Sequence, residues 1–138
     1  MATYKISDIK SIGVDRAAKL TELGISTVDA LLEAGKTKKG RKVLTEQMGE
    51  LGSAKLVLNW VNRADLFRIK GISGQYSDLL ERAGIDTVKE LAQRNVANLH
   101  AKLVEVNTEK EIVKRLPTLA EVEKWVLQAK ELPRGIEY

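Results

Sequence analysis

Ile69–Leu91 reads IKGISGQYSDLLERAGIDTVKEL, and 60 positions earlier Ile9–Leu31 reads IKSIGVDRAAKLTELGISTVDAL. Ile9, Lys10, Ile12, Leu20, Gly24, Ile25, Thr27, Val28 and Leu31 return as Ile69, Lys70, Ile72, Leu80, Gly84, Ile85, Thr87, Val88 and Leu91. Most of the retained residues are of core and turn type, as expected of a duplicated structural unit. In each line apolar residues recur at short helical steps and stop at a glycine: Ala17, Leu20 and Leu23–Gly24, then Tyr76, Leu79, Leu80 and Ala83–Gly84. That spacing predicts a helix ended by a glycine. Ser26 or Thr27, and Asp86 or Thr87, supply the cap that starts the next helix.

Working outward, a second echo appears at an offset of 65: LGSAKLVLNWVNRA (51–64) aligns with LPTLAEVEKWVLQA (116–129). Val57, Trp60, Val61 and Ala64 fall on Val122, Trp125, Val126 and Ala129. Ser53 and Thr118 stand where helix caps belong, and Thr118-Leu-Ala-Glu121 is a capping-box pattern. The change of offset from 60 to 65 places about five extra residues in the second copy, with VEVNTEKE (104–111) as their natural position. The chain therefore reads as two units, 1–66 and 67–138. No Gly/Ser/Pro linker separates them, and WVNRADLFRI (60–69) reads as a helix passing from one to the other, which predicts packed copies. Strict alternation of β-branched residues is absent. The predicted fold is all-α, about ten short helices, with Trp60 and Trp125 as core anchors.

Composition narrows the chemistry. The 138 residues contain no Cys and a single His, His100. That excludes a disulfide framework, a thiolate nucleophile and a zinc site of the usual kind. No apolar run approaches the roughly 18 residues of a spanning helix, and MATYKISDIK carries no signal-peptide pattern. The expectation is a soluble, cytoplasmic protein with no membrane partner. Carboxylates such as Glu109 and Glu111 are interleaved with Lys rather than clustered, and the glycines form neither a P-loop nor a dinucleotide fingerprint. No catalytic constellation emerges, so no enzyme activity, cofactor or metal is predicted. The net charge is +4. Residues 1–64 hold 11 Lys/Arg against 7 Asp/Glu, whereas residues 65–138 hold 12 of each, so the whole excess lies in the first half. Such asymmetry points to an acidic partner on that half.

Each unit opens with a short helix, a tight turn holding Gly and Ile, and a longer helix: ISDI / KSIGV / DRAAKLTEL, then ADLFRI / KGISG / QYSDLLERA. The pattern resembles the helix-hairpin-helix motif, whose turn is Gly-apolar-Gly. A glycine lets the chain leave a helix at positive φ, the Ile plugs the space between helices, and backbone N–H groups face outward where the next helix starts. Such a start attracts anions, because free donors and the helix dipole point the same way. The resemblance implies nucleic-acid phosphate as the anion, held without base reading. In the second copy Lys70, Gly71, Ser73, Gly74 and Gln75 are the candidates. In the first copy they are Lys10, Gly13 and Arg16, with Ser11 in the first glycine position and Asp15 set to repel phosphate.

The run ADLFRIKGIS…LLERAGIDTVKELAQRNVANLHAKLVEVN…VKRLPTLAEVEKWVLQAKELP extends the resemblance. It is similar to a bacterial tandem helix-hairpin-helix family of unknown function. The later part of each unit, EQMGELGSAKLVLNWV and IVKRLPTLAEVEKWV, reads as a degenerate second hairpin. GKTKKGRKVL (35–44) adds Lys36, Lys38, Lys39, Arg41 and Lys42 with no acid between Glu33 and Glu46. Five cations near a helix start can grip several phosphates, with salt-dependent affinity. No aromatic residue interleaves with them, so base stacking has no support there. The functional expectation is a non-enzymatic module whose partner is nucleic acid, DNA first. A protein-interaction scaffold that no longer binds phosphate is the alternative. The oligomeric state is left open.

Overall fold

A computed structural model describes residues 4–138. Among these residues there are eight α-helices and three short 3-10 turns, with no strand. A lone antiparallel bridge joins Lys5 to Thr27. The fold is all-α, with eight full helices where about ten are expected, because two segments before the first helix and one before the fourth tighten into 3-10 turns. The chain divides into two compact units. One runs up to Asp65 and takes in Arg134–Tyr138, and the other is Leu66–Pro133.

The first unit contains 3-10 turns at Ile6–Asp8 and Lys10–Ile12, then α1 (Val14–Glu22), α2 (Val28–Gly35) and α3 (Lys38–Met48). A 3-10 turn at Gly49–Leu51 leads into α4 (Ala54–Leu66). Ile9, Ile12, Leu20, Leu31, Leu44 and Trp60 are all buried, so the apolar periodicity of the sequence does face the interior. Gly35 carries no side chain where α2 comes close to Val61 of α4. The sequence pattern leaves the C-terminal residues with the second copy. They belong instead to the first unit, where Ile136 is buried and the Glu137 N–H donates to the Lys36 carbonyl at 2.7 Å.

The second unit holds α5 (Gly74–Arg82), α6 (Val88–Ala92), α7 (Val96–Lys110) and α8 (Leu119–Glu131). Its core gathers Leu66, Ile69, Ile72, Leu80, Leu103 and Trp125, with neighbours of the same apolar type. The local hydrogen bonds recur 60 residues on. The Ile25 N–H donates to the Leu20 carbonyl at 2.8 Å, and the Ile85 N–H to Leu80 at 2.9 Å. Gly24 N–H reaches Thr21 at 3.0 Å and Gly84 N–H reaches Glu81 at 2.9 Å. The Thr27 and Thr87 hydroxyls accept from Ala30 and Glu90, each at 3.1 Å, which makes Thr rather than Ser26 or Asp86 the cap.

The units differ after α6. α7 has 15 residues and α3 has 11. IVKRLP, read from sequence as the end of a helix, is not helical, and residues 111–118 form a connection. Two effects produce it. Pro117 disfavours helical backbone at Leu116. The Asn107 side-chain amide also takes the place of a helical partner for Val113, accepting from its N–H at 2.9 Å and donating to its carbonyl at 3.0 Å.

Candidate functional site

The turn before α5 is built by α4 ending at Leu66 and by the apolar plugs Ile69 and Ile72, both fully buried. Ile69 N–H donates to Leu66 and Ile72 N–H to Ile69, each at 3.1 Å, which winds the chain tightly. Gly71 then takes φ +98°, a conformation that L side chains rarely adopt. A Cβ there would also stand 3.0 Å from the Trp125 indole nitrogen. Ser73 follows in extended conformation at the start of α5 and forms no side-chain cap. No internal acceptor meets the N–H groups of Ser73, Gly74 or Gln75 among the described residues. Ser73 and Gly74 are half-buried and Gln75 is exposed. Lys70 beside them is exposed.

The turn before α1 solves the same problem with a different residue. Lys10–Ile12 forms a 3-10 turn, and Gly13, not the residue at 11, takes the left-handed step at φ +83° and ψ +164°. Ser11 therefore needs no glycine, because the reversal has moved two residues on. Gly13 and Asp15 are exposed and α1 again starts without a side-chain cap. Every other α-helix has one: Thr27, Thr37, Ser53, Thr87, Asn95 and Thr118 each accept from a first-turn N–H. Arg16 is turned inward, its Nε donating to the Leu51 carbonyl at 2.7 Å. It serves the packing of the first unit rather than facing outward with Lys10.

The basic segment spans the end of α2 and the start of α3. Lys36 is paired with Glu33 at 2.9 Å. Lys38, Lys39 and Lys42 are exposed and make no ion pair among the described residues. α3 has no acidic residue in its first turn, so these cations face the positive end of the helix dipole uncompensated. Arg41 behaves otherwise. Its Nη1 donates to the Gly35 carbonyl at 2.9 Å and its Nη2 to the Glu137 carbonyl at 2.6 Å. The guanidinium lies 5.9 Å from the Tyr138 ring centroid. Of the five cations in the segment, three are therefore fully available to solvent and two are engaged.

Sequence reasoning missed the side chains that hold the second turn in place. Gln128 of α8 accepts from the Lys70 N–H at 2.9 Å and donates to the Lys70 carbonyl at 3.3 Å. Trp125, one helical step earlier, lies beneath Gly71 and is in tilted contact with Tyr76, ring centroids 5.3 Å apart. The Tyr76 hydroxyl donates to the Arg115 carbonyl and receives the Arg115 Nη1, both at 2.9 Å. Arg115 Nη2 in turn meets Glu121 at 2.8 Å. The Thr118 N–H, then the Arg115 guanidinium, hold the Glu121 carboxyl below the usual carboxylate range. The Trp at matching positions was the available signal, whereas Gln128 has no counterpart in the first copy, where Arg63 stands. His100, which has no partner visible from sequence, has its Nε2 3.0 Å from the Pro117 carbonyl. No three His, Asp or Glu side chains converge on a metal-sized site among the described residues. No described helix is long and apolar enough to cross a membrane.

The chain belongs to the family described as Domain of unknown function (DUF4332), which it matches over residues 10–132. Comparison with curated proteins and with solved structures gives no match.

Proposed function

We propose that the chain is a non-enzymatic module that binds DNA through its phosphates, without base specificity, using turns of the helix-hairpin-helix kind. The observation that carries this reading is the pattern of helix starts. Six α-helices are closed by their own side chains, and the two that are not follow the two equivalent turns. A helix start left with unaccepted N–H groups beside a lysine suits an oxyanion. Ser73, Gly74, Gln75 and Lys70 supply one such place. Gly13 and Lys10 supply a weaker one, since Asp15 stands in its first turn. Lys38, Lys39 and Lys42 add sequence-independent attraction.

The test is fluorescence anisotropy of a labelled duplex over a salt series. Affinity should fall linearly on a log–log plot, by a slope of about 0.9 for each phosphate neutralised. Absence of binding to duplex and single-stranded DNA at low salt ends this reading.

A second reading, a protein-interaction scaffold, is favoured by one observation. Val14, the first residue of α1, is 85% exposed at the tip of its turn. That reading predicts a protein partner that Val14→Asp releases and that Lys38→Glu with Lys39→Glu retains.

A further inference from the structure

We infer that Arg134–Tyr138 is a strap that withholds Arg41 from polyanions; the inference rests on the phosphate-binding reading above. The segment has no regular secondary structure. It is held on the first unit by the buried Ile136, the Glu137 N–H to the Lys36 carbonyl at 2.7 Å, and the Tyr138 hydroxyl to Asn62 Oδ1 at 2.7 Å. It holds Arg41 through the Glu137 carbonyl at 2.6 Å and the Tyr138 ring. Segments with few buried contacts and exposed hydrogen bonds open at the low end of a protein's stability range.

Arg41 is the one guanidinium between residues 36 and 42. A guanidinium grips phosphate in bidentate fashion, which an ammonium cannot do. In the closed state both of its Nη groups are given to carbonyls. Yet Arg41 lines one surface groove with Lys38, Lys42 and Thr45, as positions three and four apart on a helix do, and Glu46 is the one carboxylate on that lining. Lys38 and Lys42 are exposed on that groove, whereas Arg41 is tethered. Opening the strap releases Nη2 and uncovers the guanidinium beside two free ammonium groups. A phosphate backbone seated in the groove and the closed strap then compete for one side chain. By linkage, each weakens the other by the same factor.

The experiment measures binding of the full chain to a labelled DNA duplex across a salt series. The variants are wild type, Tyr138→Ala, Ile136→Ala with Tyr138→Ala, and each of these with Arg41→Ala. Opening the strap should let the chain neutralise one more phosphate. That raises the salt slope by about 0.9, a gain of roughly eightfold in affinity at 0.1 M salt. Arg41→Ala should abolish the gain in the open variants and change little in wild type. Amide exchange at Glu137 reports in parallel whether the strap has opened, and Tyr138→Ala guards against misfolding of the double variant. Open variants that bind with the wild-type slope, once exchange at Glu137 has proven the opening, overturn the strap while leaving the phosphate reading intact. A steeper slope in the open variants that Arg41→Ala removes supports it. No binding by any variant overturns both.

Discussion

The side-chain amide of Gln128 pairs with the backbone of Lys70 on both sides, accepting from its N–H at 2.9 Å and donating to its carbonyl at 3.3 Å. The turn that presents Ser73–Gln75 is thereby fastened to α8 as well as wound by its own local bonds at Ile69 and Ile72. Gln128→Leu removes both bonds at an exposed site. The expected loss of stability is about 1 kcal/mol, in the range of an ordinary hydrogen bond. Native-state amide exchange should quicken at Lys70 and stay unchanged at Ile85, whose N–H is bonded to Leu80. Unchanged exchange at Lys70 would mean that the amide pair does not restrain the turn.

Gly71 is constrained twice. Its φ of +98° disfavours any L side chain, and a Cβ would press on the Trp125 indole nitrogen at 3.0 Å. Gly13 is constrained once, because a Cβ there meets nothing within 4 Å. Each Gly→Ala change should destabilise by about 1–3 kcal/mol from backbone strain alone. Gly71→Ala should also shift tryptophan emission, since the indole must move aside, whereas Gly13→Ala should leave it alone. Urea unfolding followed by fluorescence reads both effects, and a silent Gly71→Ala spectrum would argue against the close packing of Trp125.

The elements that read clearly in the sequence are those governed by local rules. Thr118 and Glu121 announce a capping box, and both of its bonds form. Gly24 and Gly84 end their helices, and the Ile and Leu residues that recur at 60 positions are buried. What did not read are the contacts between residues far apart in sequence. Arg16 and Arg41 look like phosphate ligands in one dimension. Each is instead drawn to a backbone carbonyl, Leu51 for one and Glu137 for the other, 35 and 96 residues away. Lysines, with no planar fork to satisfy, stay in solvent, so Lys38, Lys39, Lys42 and Lys70 remain candidates. The seat of Arg134–Tyr138 was equally hidden, because a single Ile136 carries its burial and one apolar residue makes no periodicity.

Lys38 and Lys39 open α3 with positive charge where the helix dipole is itself positive. The arrangement costs stability. Lys38→Glu with Lys39→Glu should therefore stabilise the free protein, by up to about 1 kcal/mol per position. The same change should weaken binding to duplex DNA and lower the salt slope by about 0.9 for each phosphate left without its lysine. Thermal unfolding and anisotropy on one preparation test the two together. A variant that is less stable than wild type would show that the lysines already have compensation, and the trade between stability and affinity would not hold.

Glu121 ties the start of α8 to the connection before it, and α8 carries both Trp125 and Gln128 against the second turn. Because its folded-state pKa is depressed, first by the Thr118 N–H and then by Arg115, its contribution is present in full above the unfolded value of about 4.3. It is lost as pH falls through the lower folded value. Glu121→Gln keeps the capping-box geometry without the charge. Wild type should therefore unfold at a higher temperature than Glu121→Gln at pH 7. The gap should begin to close near pH 5 and vanish once the carboxyl is protonated in both states. Thr118→Ala, by contrast, should still cost about 1 kcal/mol once Glu121 is protonated, because the missing hydroxyl cap does not itself titrate. A Glu121→Gln difference that stays constant from pH 7 to pH 2 would place its origin in packing rather than in the charged hydrogen bonds to Thr118 and Arg115.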